Sequence, residues 1–89
     1  MKTNYLKLFD LHGKTAIVTG ATGILGRHFC AGLAQFGADV AVVDLSAKAC
    51  SSFAGELAKT YGIKSVGISC DLSNPAAVKA MVKKVINYF

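Results

Sequence analysis

The 89 residues contain only five acids, one proline and three cysteines, and no apolar run approaches the ~18 residues of a membrane span. The N-terminus carries Lys2 but no apolar core of a signal peptide, so the expected compartment is the cytoplasm, with no membrane partner. Cys30, Cys50 and Cys70 are odd in number and form no Cys-x-x-Cys pair, which argues against a zinc site and a disulfide framework. Reduced thiols used as small hydrophobes are expected instead, and no metal ligands are assigned. Ten Lys and Arg give a net charge of +5, yet they are scattered; only Lys83 and Lys84 are adjacent, and no basic block interleaves with aromatics. That pattern reads as a solvated face, with no nucleic-acid partner.

What is present is apolar: 53% of residues are hydrophobic and 17% charged. A chain of this size buries only about 60–65% of its unfolded surface. Some apolar surface is therefore expected to face another segment or subunit. There are no repeats and no linkers.

The chemistry-bearing segment is Thr19-Gly20-Ala21-Thr22-Gly23-Ile24-Leu25-Gly26, directly after the apolar run Ala16-Ile17-Val18. Asp44 closes the next apolar run, about 20 residues past the turn. Strand, glycine turn, helix, strand and acid make a dinucleotide-binding unit. Gly20 supplies a sharp reversal, Gly23 allows close approach of a pyrophosphate, and Gly26 allows tight packing of the helix on the sheet. The helix opening at Ile24 aims unpaired amides and its positive dipole end at phosphate. Asp44 is placed to accept hydrogen bonds from both ribose hydroxyls and to repel a 2′-phosphate, which favours NAD over NADP. The bland alternatives are a βαβ turn with glycines for tightness only, and Asp44 as a helix cap.

Periodicity fills in the rest. Leu8, Phe9 and Leu11 of a leader are apolar enough to lie against the sheet. Lys14 to Thr19 is the first strand. A helix from Ile24 to Phe36 carries the stripe Leu25, Phe29, Leu33 and Phe36, and Gly37 ends it. Asp39 to Asp44 is the second strand. Ser46 caps a helix with the stripe Ala47, Cys50, Ala54, Leu57, Ala58 and Tyr61, ended by Gly62. Lys64 to Cys70 is the third strand. Asn74 then caps a helix with Pro75 at its first position and the stripe Val78, Met81, Val82, Val85, Ile86 and Phe89.

The expected fold is α/β, a partial doubly wound Rossmann fold: three parallel strands in the order 3-2-1 with three helices, truncated before strand 4. Residues 1–89 form the N-terminal part of an NAD(P)-binding domain, in strand/helix pairs at about 14–37, 39–61 and 64–89. Right-handed crossovers put the first two helices on one face and the third on the other. The first strand is left as an open edge, which predicts self-association or docking of a missing C-terminal half.

Leu11-His12-Gly13-Lys14-Thr15-Ala16-Ile17-Val18-Thr19-Gly20, Gly37-Ala38-Asp39-Val40-Ala41-Val42-Val43-Asp44 and Cys70-Asp71-Leu72-Ser73 strongly resemble the start of a short-chain dehydrogenase/reductase (SDR). The resemblance runs from about Phe9 to the end. It implies that Gly20, Thr22, Gly23, Ile24, Leu25 and Gly26 line the pyrophosphate and its approach. Asp44 and Leu45 would sit at the adenosine ribose, and Asp71 and Leu72 along the adenine. Asp71 reads equally as a turn and helix-start residue. The glycine spacing is that of the family's extended branch, whereas the leader resembles the compact branch. Arg27 reads as a solvated helix residue rather than a phosphate clamp.

The family's Tyr-x-x-x-Lys pair has no counterpart. Tyr61 and Lys64 are wrongly spaced and fall at the wrong end of the sheet, and His12 and His28 have no partner at family spacing. No catalytic residue is assigned. The resemblance implies a parent reaction of hydride transfer between a nicotinamide and an alcohol or carbonyl, with this chain as its NAD-binding segment and inactive alone. Two alternatives stand beside it: a non-enzymatic nucleotide-binding or edge-strand interaction module, and a ligand-free structural homo-oligomer.

Overall fold

The computed structural model describes residues 4–89; Met1 to Thr3, including the Lys2 weighed above, lie outside the described residues. A short 3-10 helix, Tyr5–Phe9, precedes β1 (Thr15–Thr19), α1 (Ile24–Gln35), β2 (Asp39–Asp44), α2 (Ala47–Tyr61), β3 (Ser65–Ser69) and α3 (Pro75–Tyr88). The strands pair in parallel in the order β1-β2-β3, which is the expected order. Thr15 stands opposite Asp39, and Val40 opposite Ser65.

β2 is central because its sequence suits burial on both faces. Val40 and Val42 point to one side, Ala41 and Val43 to the other, and all four are fully buried. The first pair joins Cys30 and Ala34 of α1 and Cys50, Phe53, Ala54 and Leu57 of α2. The second pair meets Ile68, Cys70, Met81 and Val85 beneath α3. The two crossovers thus place α1 and α2 on one face and α3 on the other. All three cysteines are buried and unpaired, and burial pushes the Cys30 thiol up to about 11 and raises that of Cys50.

The punctuation residues act as their chemistry requires. Ser46 Oγ accepts from the Ala49 amide at 3.2 Å, and Asn74 Oδ1 accepts from Ala76 and Ala77 at 3.0 and 3.3 Å, with Pro75 opening α3. Gly62 ends α2 in the left-handed conformation.

Three expected faces are corrected. In α1 the buried row is Gly26, Cys30 and Ala34, while Leu25 and Phe29 are 68% and 60% exposed and Phe36 is also exposed. The helix lies so close to the sheet that small side chains line its buried row, while Leu33 of the expected stripe, half-buried, still packs against this core. In α2, Phe53 is buried and Ala47 exposed, because Ala47 lies in the first turn, beyond the end of β2. In α3 one narrow row, Met81 and Val85 with Val78 and Phe89 beside it, meets the sheet, and Val82 and Ile86 face outward. Leu8 and Phe9 of the leader do not lie against the sheet either; both are exposed, and the Phe9 ring stands 6.4 Å from that of Phe36.

Candidate nucleotide site

The site is built where β1 turns into α1. Gly20 has φ +63°, which a side chain would disfavour, and the turn is closed by the Gly23 amide donating to the Gly20 carbonyl at 3.1 Å. Buried Ala21 donates its amide to the Val43 carbonyl at 3.2 Å, fixing the turn to the end of β2. Gly23 caps α1 without any side-chain bond, and the first helical bond runs from the Arg27 amide to the Gly23 carbonyl at 3.0 Å. The amides of Ile24, Leu25 and Gly26 therefore precede the helical ladder, as an anion-binding terminus requires. Ile24 and Leu25 are exposed, whereas Gly26 is buried over the turn. A methyl group on Gly26 would lie 2.8 Å from Ala21 Cα and closer still to the Gly20 carbonyl oxygen.

Asp44, at the carboxyl end of β2, is tied to this turn. Its Oδ2 accepts from the Thr22 amide at 3.1 Å and the Thr22 hydroxyl at 2.6 Å, and its Oδ1 accepts from the Leu45 amide at 2.8 Å. These donors, the Thr22 hydroxyl foremost, hold the Asp44 carboxyl below its ordinary value against a small opposing effect of burial. Because the folded pKa is the lower one, the stabilisation is complete above the unfolded carboxylate value of about 4 and is lost as pH falls through the folded value. Asp44→Asn is expected to flatten the acid limb of a circular-dichroism stability profile below about pH 5. Asp10 and Asp71, also held low by local hydrogen bonds, keep a residual slope in that variant.

Gly20, Asp44, Leu45, Asp71 and Leu72 share one cleft of about 270 Å³, together with Val43, Cys70 and Ser73. Its walls are braced: the Cys70 amide donates to the Asp44 carbonyl at 2.9 Å, and the Ser69 hydroxyl to the Leu45 carbonyl at 2.7 Å. The Asp71 carboxylate folds back onto its own turn, where Oδ1 accepts from the Ser73 amide at 3.0 Å and hydroxyl at 2.7 Å. Sequence reasoning missed Ser73 in the wall; the Asp-x-Ser spacing of such a turn was the available signal. It also missed the link between Thr22 and Asp44, which no local spacing reveals.

Arg27 is an exposed residue of α1, as expected, but it also makes two contacts. Its Nε donates to the Thr22 carbonyl at 2.9 Å, and its guanidinium sits 4.6 Å from the centre of the Phe53 ring. The other candidates lie elsewhere. Tyr61 ends α2 and Lys64 precedes β3, at the amino end of the sheet. His12 packs on Gly37 at that same end, and its Nδ1 pairs with Asp10. A larger cleft of about 620 Å³ between β3 and α3 is lined by Val66, Ile68, Ser69, Lys84, Asn87 and Tyr88 among others, and contains none of the residues of the glycine turn or its acid. Among the described residues, no cluster of His, Cys, Asp or Glu could hold a metal ion, and no helix is long and apolar enough to cross a membrane.

The sequence and backbone that carry this site are similar to those of known proteins. The short chain dehydrogenase family model matches residues 14–89. A sorbose reductase of Candida albicans is 34% identical over 85 residues, which cover 96% of this chain and 30% of that protein. An NADP-dependent mannitol dehydrogenase of Alternaria alternata is 36% identical over 90 residues, covering 98% of this chain and 34% of that one. The crystal structure of a short-chain type dehydrogenase/reductase from Mycobacterium marinum superposes with a TM-score of 0.87 at 35% identity, covering 96% of this chain and 33% of that one. The chain thus spans about a third of the length of these relatives. Matched from β1 through α3 by the family model and in backbone by a solved member, it belongs to the short-chain dehydrogenase family.

Proposed function

We propose that this chain is the NAD(H)-binding segment of an oxidoreductase that transfers hydride between a nicotinamide and an alcohol or carbonyl. The observation that carries the reading is the Asp44 carboxylate, held at the end of β2 beside a turn whose helix presents unladdered amides. Gly20, Gly23 and the amides of Ile24, Leu25 and Gly26 receive the pyrophosphate. Asp44 and Leu45 meet the ribose, and the wall of Asp71 and Leu72 takes the adenine. The bound dinucleotide supplies the hydride chemistry. This chain's residues orient its adenosine half. Repulsion between Asp44 and a 2′-phosphate favours NAD, although the Alternaria relative is NADP-dependent.

The test is a calorimetric or NMR titration of the chain with NAD, NADP and ADP-ribose. NAD and ADP-ribose are expected to bind alike, near the roughly millimolar end of the affinity scale, and Asp44→Ala to weaken both about tenfold. Absence of binding at several millimolar for every ligand would sink the reading.

A second reading rests on a different observation. β1 pairs only with β2 among the described residues, Ile17 on it is 41% exposed, and the exposed Leu25 and Phe29 belong to α1, with exposed Phe36 at its C-cap. An open apolar edge of this kind supports pairing with a second copy. Sedimentation equilibrium at micromolar concentration is expected to show a dimer, and a strict monomer excludes it.

A further inference from the structure

We infer that Thr22 is the residue that sets how sharply Asp44 separates NAD from NADP, because its hydroxyl and amide together occupy Asp44 Oδ2. The inference rests on the cofactor reading above. A carboxylate offers about four acceptor sites, two on each oxygen. On Asp44, Thr22 fills both sites of Oδ2 and the Leu45 amide fills one on Oδ1. One site remains. The expectation that Asp44 receives both ribose hydroxyls therefore meets a shortage of acceptors, and the ribose gains one hydrogen bond where two would discriminate more strongly.

The second hydroxyl can enter only by displacing that of Thr22. The Thr22 bond, at 2.6 Å, has the length of a charge-assisted O–H···O⁻ bond, the stronger kind. Thr22 is also held from its other side, since Arg27 Nε donates to its carbonyl and the guanidinium is seated on Phe53. That contact fixes the Thr22 backbone, and with it the amide that donates to Oδ2, so the amide stays in place even where a χ1 rotation withdraws the hydroxyl. A 2′-phosphate arriving at the same place meets a carboxylate whose charge three donors already offset, so its repulsion is blunted. Both effects lower discrimination: fewer bonds for the NAD ribose, and less penalty for the NADP phosphate.

Thr22→Val tests this by removing the hydroxyl while keeping the branched shape and the backbone amide. Titrations of the chain with NAD, NADP and ADP-ribose are expected to show NAD and ADP-ribose tightening roughly tenfold, the scale of one hydrogen bond gained to a charged group. NADP is expected not to tighten, so the NAD:NADP affinity ratio widens by the same factor. Thr22→Ser, which restores the hydroxyl, should return the wild-type ratio, and Asp44→Ala should collapse it with either residue at position 22. Equal weakening of NAD and NADP in Thr22→Val would show a merely structural role and overturn the inference, as would an unchanged ratio. Failure of all ligands to bind the wild-type chain and every variant overturns the cofactor reading itself, and the role of Thr22 with it.

Discussion

Gly26→Ala is expected to destabilise the chain by about 3 kcal/mol or more and to abolish dinucleotide binding at temperatures where the variant remains folded. The new methyl group would meet backbone, at 2.8 Å from Ala21 Cα and the Gly20 carbonyl carbon, with the Gly20 oxygen nearer still. Backbone cannot rotate aside as a side chain can. Either α1 lifts from the sheet, opening the core around Cys30 and Ala34, or the turn shifts and the Gly20 conformation, the Ala21–Val43 hydrogen bond and the Thr22–Asp44 contacts go with it. In a domain of this size, 3 kcal/mol corresponds to a fall in Tm of more than about 10 °C. Gly55→Ala is the control: the same change on an exposed stretch of α2, where a methyl group meets nothing within 4 Å, is expected to stabilise by about 0.5–1 kcal/mol. A Gly26→Ala melting temperature within a few degrees of wild type would refute the close-packing account.

The positions at which sequence reasoning worked were those where backbone chemistry is local. Gly20, Gly62, Ser46, Asn74 and Pro75 are read from the few residues around them, since a left-handed angle, a cap or a missing amide is settled within one turn. The doubly wound topology followed in the same way, from alternation of strand and helix and the handedness of the crossovers. Of the glycine turn, Gly20 lines one cleft with Asp44 and Thr22 bonds to that carboxylate, whereas Gly23, Ile24, Leu25 and Gly26 do not line the cleft. The α1 face did not follow. A hydrophobic stripe records which side chains are apolar, not how near the partner surface lies. The row i, i+4, i+8 of Leu25, Phe29 and Leu33 is a credible core pattern in isolation. Gly26, Cys30 and Ala34 form an equally regular row, and it is the buried one because Gly26 brings the helix down onto the turn. The Thr22–Asp44 bond was illegible for a related reason: its partners are 22 residues apart and meet only after a crossover is complete.

Gly67→Ala is expected to lower stability on a similar scale, about 3 kcal/mol, from a position that no motif marks. β3 faces two ways. Val66 and Ile68 turn toward α3, and Gly67 turns toward α2, where a methyl group would lie 2.5 Å from the Cys50 carbonyl oxygen and the Ser51 amide nitrogen, and closer to the Cys50 carbonyl carbon. As at Gly26, the obstacle is helix backbone, so the change must displace α2 and with it the buried contacts of Cys50, Phe53 and Leu57. The two glycines are nevertheless separable by what else they disturb. Gly26 stands directly over the turn that forms the candidate site, whereas Gly67 lies mid-strand beneath α2, and its clash reaches the turn only indirectly, through Cys50 and Phe53, which share the core with Ala21. Below its lowered melting temperature, Gly67→Ala should therefore retain a measurable part of wild-type affinity for ADP-ribose, and Gly26→Ala should retain none. Equal loss of binding in both variants, measured on protein shown by circular dichroism to be folded, would mean that the site depends on the α2–β3 packing as closely as on the glycine turn. In that event the anion-binding role given to the start of α1 would no longer account for the affinity.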